Sequence, residues 1–414
     1  MLSRKVSIEV SVLTKLRGKF SGPTLFIGLA MLIFPLWGSI GDNYSITAGL
    51  GYALLFTGCI YSLWYFRSSI GLGSKIIWIP VAVFPCLAIL RVFYNVEPLE
   101  IATYYALFML GLFTVFIIVR YKGPAVLWFI PYLVLIYGVS TIATTVYRPL
   151  EEVFRAHGVS GNPNMVAACL SFALFTLRGK WRWLSPLALV AIGCTGSYWA
   201  LGAVGIAGLV FLIKGGIFNY KWVLVTNVVV ILLALGIGFA FRDFSKTWNF
   251  DRVGAILRWE TYEEPSLPAI VREGNGTSED VSGITESGIY IGAVTTRFDN
   301  FKMAFDDFEF MGNGFRSNQP ALAGRPGEVW IIHNVPLMIM DELGVPAVLA
   351  WFFLMGYAIW KSNKYRYVFI AMFVMSVTGT YWFWYWPALL AYFWMSVGLV
   401  SYEKEQGRRP NAST

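Results

Sequence analysis

Mostly apolar runs recur along the chain at 24–40, 44–66, 76–92, 100–119, 124–147, 163–177, 183–196, 198–213, 221–241, 334–360, 365–380 and 382–400, separated with one exception by short breaks. A helix needs roughly 20 such residues to cross the hydrocarbon core of a bilayer. The pattern therefore predicts twelve spans. The runs 183–196 and 198–213 are short and joined by a tight turn, so they also read as one kinked or re-entrant element. Between the ninth and tenth runs lies a polar segment of about ninety residues, 242–332, and a loop that long inside a compact protein is usually functional. The expected fold is an all-α polytopic membrane protein of about twelve transmembrane helices with one long, partly helical outer loop. Its parts are an N-terminal transmembrane bundle of about nine spans (1–241), a loop domain (242–332), C-terminal transmembrane helices (333–400) and a tail (401–414).

Charge supplies an orientation. With an inside N-terminus, every inside connection is basic, from Arg4, Lys5, Lys15, Arg17 and Lys19 to Lys404, Arg408 and Arg409. That side collects twenty of the 32 Lys and Arg but three of the 24 Asp and Glu, the positive-inside bias that sets helix orientation. Both termini are expected in the cytoplasm. No small-residue cleavage site follows the basic N-terminus, so the first run reads as an uncleaved span. Composition agrees: 57% of residues are hydrophobic and 14% charged, against roughly a quarter charged in a soluble domain. The net charge of +8 does not point to nucleic acid, because the cations are scattered through short loops. Cys59, Cys86, Cys169 and Cys194 lie within apolar runs without a CxxC pair and read as small buried hydrophobes.

Three basic residues outside the long loop run against the bias: Arg91, Arg148 and Arg155. A guanidinium pocket for phosphate explains them, and so do the nearby acids Glu97, Glu100, Glu151 and Glu152. In the loop, Arg272–Gly288 is rich in Gly, Ser, Thr and Glu and reads as flexible. Thr296–Phe310 reads as an amphipathic helix, ended by the turn-rich Met311-Gly312-Asn313-Gly314.

The chain has two histidines, His157 and His333, both on the outer side of this arrangement. His333 precedes Asn334 where a span begins, and imidazole exchanges protons near neutral pH without a large pKa shift. A helix-terminal ring bonded to the loop is the plainer reading. Asp341 and Glu342 lie two turns into the same run, where a carboxylate is costly unless paired or facing a polar cavity. They orient a neighbour, bind substrate or lock helices together. Asp306-Asp307 can hold Mg²⁺ or form the wet face of the amphipathic helix. No zinc spacing, P-loop or GxSxG elbow occurs, and no metal or cofactor is implied.

Three stretches carry a resemblance: RAHGVSGNPNMVA at Arg155–Ala167, CTGSYWALGAVG at Cys194–Gly205, and IHNVPLMIMDELGVP at Ile332–Pro346. Their order and content resemble the bacterial O-antigen ligase superfamily, which includes O-antigen polymerases (the Wzy_C type) and bacterial O-oligosaccharyltransferases. The chain departs from that family at Tyr198, where Arg often follows Gly-Ser. The resemblance implies a GT-C-like fold in the bacterial inner membrane and a metal-independent, inverting glycosyl transfer on the periplasmic face. The donor would be a glycan on undecaprenyl diphosphate, the acceptor lipid A-core or another glycan, and the remaining partners membrane lipids. By the same resemblance His333 matches the catalytic base, and Arg297, Arg148, Arg155 and, more loosely, Arg91 match residues that stabilise the departing diphosphate. Asn334, Glu342 and Arg316 would support them.

Ligase and polymerase share this chemistry, and the pair Arg148 and Arg155 tilts the reading toward ligase. A transporter or flippase is the rival class, although no internal repeat is evident. A non-catalytic membrane scaffold is the third reading.

Overall fold

Where the chain is uniformly apolar, its backbone polar groups must find partners within the segment, and the helix is the local solution. The computed structural model describes residues 22–38, 44–66, 75–94, 99–147, 158–160, 162–215, 305, 309–314, 334–378 and 387–406. The run 221–241, the long loop apart from Phe305 and 309–314, and both chain ends lie outside them. Among the described residues the regular structure is all helical, with no strand.

Numbered over the described residues, the helices are α1 Gly22–Ile33, α2 Tyr44–Phe66, α3 Lys75–Tyr94 and α4 Leu99–Lys122. The composite α5 joins a 3-10 turn Gly123–Phe129, α-helical Ile130–Leu133, π-helical Val134–Gly138 and α-helical Val139–Tyr147. Then come α6 Pro163–Thr176, α7 Ser185–Cys194, α8 Tyr198–Gly215, α9 Val335–Leu343, α10 Val345–Lys361, α11 Arg366–Thr378 and α12 Pro387–Gln406. Among the described residues, one continuous run, Tyr105–Thr145, is long and apolar enough to cross a membrane by length and composition. It joins α4 to α5 through Gly123, whose φ of 59° turns the chain.

Two expectations change. The run 334–360 is two helices. Gly344, at φ 83°, ends α9, and Val345-Pro346 starts α10, because a left-handed glycine stops a helix and proline suits the first turn of the next. The pair 183–196 and 198–213, expected as two runs with one kinked element as the alternative, is two helices, α7 and α8, separated by Thr195-Gly196 with Gly196 at φ 58°. Of the cysteines, Cys59 and Cys169 are buried, but Cys86 is exposed, on the outward face of α3 with Ile79 and Leu90.

The core gathers around α12, whose residues from Leu389 to Ser401 are all buried. Tyr392 stacks on Phe172 of α6 with centroids 4.2 Å apart, and Trp394 meets Phe84 of α3 edge-on at 5.5 Å. Gly398 lets α12 approach α4, since a Cβ there would lie 2.8 Å from the Phe116 carbonyl oxygen.

Side-chain contacts fix the helix directions. Trp78 at the start of α3 packs on Phe116 late in α4 and under the Arg120 guanidinium, so α3 and α4 are antiparallel. Arg120 Nε donates to Glu405 Oε1 at 3.0 Å, which brings the ends of α4 and α12 together. Phe175 of α6 and Phe211 of α8 both reach Tyr367 at the start of α11, so α6 and α8 run antiparallel to α11. One end of the bundle therefore carries Arg120, Lys122, Arg178, Lys180, Arg182, Lys214, Lys361, Lys364, Arg366 and Lys404. Among the described residues, Arg91 is the one basic side chain at the other end.

Candidate functional site

The end opposite the basic one holds the described parts of all three motifs. Asn162 opens α6 with its Oδ1 accepting from the amides of Asn164 and Met165 at 3.0 and 3.1 Å. Pro163 follows in the first turn, where its missing N–H costs nothing. Gly158, at φ 56°, seats its backbone against α5: a Cβ there would lie 2.5 Å from Ser140 Oγ. Val159 N donates to that same oxygen at 3.3 Å.

The second motif is a helix stop and start. Thr195 Oγ1 donates back to the Ile192 carbonyl at 2.6 Å and accepts from Ser197 N at 3.3 Å. Ser197 then opens α8, its carbonyl accepting from Leu201 N at 3.0 Å. Ser197 Oγ donates to Asn164 Oδ1 at 3.0 Å. The first two motifs thus touch, through a serine and an asparagine that both lie within them.

The third motif builds α9. Asn334 caps it: Oδ1 accepts from Leu337 N at 3.0 Å, and Nδ2 donates to the Val377 carbonyl at the end of α11, also at 3.0 Å. Because α6 and α8 also pack on α11 with their N-terminal ends toward Val377, three helix N-termini share this end of the bundle. Each carries the partial positive charge of a helix dipole, which favours an anion nearby, although the asparagine caps and prolines of α6 and α9 already occupy or remove most of their first-turn amide donors.

At the far end of α9 the chain is repaired by the segment 309–314. Glu309 to Gly312 form a turn, closed by Gly312 N donating to the Glu309 carbonyl at 2.9 Å. Gly314 N donates to the Glu342 carbonyl at 3.1 Å, and Val345 N donates to the Phe310 carbonyl at 2.9 Å. Asn313 adds its side chain, Nδ2 to Asp341 Oδ1 at 2.8 Å. The backbones approach so closely that a Cβ on Gly312 would meet Gly344 N at 2.5 Å, and one on Gly344 would meet the Phe310 carbonyl oxygen at 2.4 Å. Arg91 clamps the turn from the other side, Nη2 donating to the carbonyls of Met311 and Gly312.

Arg91 therefore meets backbone carbonyls of the 309–314 turn, and Asn334 is a helix cap and a tie to α11. Glu342 is fully buried at the end of α9 and Asp341 nearly so, beside the joint between α9 and α10. His333, His157, Arg148, Arg155, Arg297, Arg316, Asp306 and Asp307 lie outside the described residues. The sequence reading missed Asn164, Ser197 and Asn313. For the first two the signal was present, since both stand inside the quoted motifs. Asn313 was visible only as a turn residue. No family model matches the chain, and no curated protein matches it.

Proposed function

We propose that this chain is an inner-membrane glycosyltransferase of the O-antigen ligase type. It would move a glycan from undecaprenyl diphosphate to an acceptor sugar hydroxyl, without a metal, on the periplasmic face. The observation that carries the reading is the meeting of the motifs: the Asn164–Ser197 hydrogen bond joins the first to the second, and Asn334 ties the third to α11, on which the other two motif helices pack. A membrane setting is supported by the outward faces, where Ile60, Ile79, Ile213 and Leu349 are all more than 60% exposed. Water would not tolerate so many apolar side chains around one bundle. It is supported too by helix length, since α2, α3, α4 and α12 run 20 to 24 residues, or roughly 30 Å and more at 1.5 Å per residue. The sorting of described cations to one end agrees with the positive-inside orientation.

In this reading His333, next to the α9 cap, takes the proton of the acceptor hydroxyl. The hydroxyl oxygen bonds the anomeric carbon from the face opposite the leaving group, the carbon–oxygen bond to the diphosphate breaks, and the anomeric configuration inverts. Undecaprenyl diphosphate departs with the electron pair. Arg297, Arg148 and Arg155, with the helix N-termini, would stabilise its growing charge. Arg91 would act by holding the outer turn. Ligase and polymerase differ only in the acceptor.

The test supplies purified protein with lipid-linked glycan, acceptor and a chelator. Transfer is expected to persist in chelator and to fall by roughly 10²–10⁴-fold in His333→Ala. A chelator-sensitive activity, or normal transfer by His333→Ala, overturns the proposal. Exchanging lipid A-core for a second lipid-linked glycan separates ligase from polymerase. One observation favours a second reading, a transporter or flippase: the helix interrupted at Gly344, a device transporters use to build binding sites. Movement of lipid-linked glycan across vesicles without a new glycosidic bond would select it.

A further inference from the structure

The basic end of the bundle contains a cavity of about 730 Å³, within the size range of small-molecule sites, roughly 300–1,000 Å³. Arg178, Lys361, Lys364 and Lys404 line it with one acid, Glu403. Cations at helix C-termini often do no more than offset the helix dipole. Here that task is taken at α10 by a residue outside the cavity: Arg366 donates from Nε to the Ile359 carbonyl at 2.6 Å and from Nη2 to the Trp360 carbonyl at 3.1 Å. Glu403 is also occupied, accepting from Ser362 Oγ at 2.7 Å and from Asn363 N at 3.2 Å. Among the described residues none of the four cavity cations forms an ion pair.

A second, independent feature points to a ligand. Tyr365 in the cavity wall is 1% exposed, and its hydroxyl proton has no acceptor, since the Arg178 guanidinium beside it can only donate. Its ring lies under the Arg178 guanidinium, 4.4 Å from centroid to Cζ. A buried hydroxyl proton left without an acceptor is destabilising, and an oxyanion entering the cavity would give it one. Trp360 and Trp183 stand exposed at this same end, as indoles do at a membrane interface.

We propose that this cavity binds the phosphodiester head group of an anionic phospholipid from the adjoining leaflet. Four cations and one acid suit a phosphate oxyanion, and basic pockets between helices at this membrane face recognise such head groups. The proposal rests on the membrane reading but not on glycosyl transfer.

The test measures equilibrium binding of head-group-labelled dihexanoyl phosphatidylglycerol to the full chain in neutral detergent. Saturable binding displaced by unlabelled phosphatidylglycerol, but neither by the phosphatidylcholine analogue nor by inorganic phosphate, is expected. K364Q/K404Q should weaken it about twentyfold, while K180Q, at the same end but outside the cavity, leaves it unchanged. If the double variant fails to fold, the single K364Q, at an exposed lysine, should weaken it about fivefold. Equal displacement by phosphatidylcholine, equal loss in K180Q or no loss in the cavity variants overturns the site. Displacement by inorganic phosphate as effective as by the lipid overturns the lipid as ligand. Retention of the chain in carbonate-washed membranes, read in parallel, tests the membrane reading by itself.

Discussion

Ser197 Oγ donates to Asn164 Oδ1 at 3.0 Å, joining residues 33 positions apart at the first turns of two helices. Ser197 is nearly buried, so removing either group leaves its partner short of a bond. Ser197→Ala and Asn164→Ala should each lower stability by about 1 kcal/mol. The double variant should lose less than the sum, with a coupling of about 0.5–1 kcal/mol. Thermal unfolding in detergent measures all three, and additive losses would mean the contact carries no energy. In the proposed enzyme, transfer should fall in step.

Arg91 reaches the carbonyls of Met311 and Gly312, more than two hundred residues along the chain. Arg91→Ala should free the 309–314 turn and expose the amide of Gly314, which bonds the Glu342 carbonyl. Hydrogen exchange reads this directly, with faster exchange expected at residues 313 and 314 and no change at the α12 amides. Unchanged protection at 313 and 314 would mean the clamp is dispensable.

Gly398 sits where α12 meets α4, and an added methyl would lie 2.8 Å from the Phe116 carbonyl oxygen. Gly398→Ala should cost about 1–3 kcal/mol through overpacking. Gly356, with nothing within 4 Å of an added Cβ, is the matched control, and Gly356→Ala should be neutral or slightly stabilising. Thermal unfolding of the two variants side by side decides it.

Arg120 has a fully buried side chain whose acidic partner, Glu405, remains 27% exposed. Its Nη1 already lacks a partner, so the guanidinium depends on Glu405 and on the Trp78 face, 4.8 Å away. Glu405→Ala should destabilise by about 3 kcal/mol, because it strands a buried charge. Glu405→Gln, which keeps an acceptor, should lose less. Equal losses in the two variants would place the effect in packing rather than charge.

Helix positions were legible because hydropathy and caps agree. Asn162-Pro163 and Asn334-Val335-Pro336 announce the starts of α6 and α9, and the structure uses both asparagines as caps. The break at Gly344 was written in Leu343-Gly344-Val345-Pro346, but apolar residues on both sides let a hydropathy window run across it. Arg91 and its turn had no local signal, because side chain and acceptors are far apart in sequence. The cavity was hidden for a related reason: Arg178, Lys364 and Lys404 read as separate loop charges until the helix ends bring them together. Of the proposed catalytic set, His333, Arg297, Arg148, Arg155 and Arg316 fall outside the described residues, while Asn334, Glu342 and Arg91 fall within.

The way α9 ends has a mechanical corollary. Its last carbonyls and the first amide of α10 are completed by the segment 309–314. Pulling that segment away would leave several main-chain donors and acceptors of the joint without partners. Segment 309–314 and the helix joint are therefore obliged to travel together, so a displacement of that segment is delivered to the short helix α9.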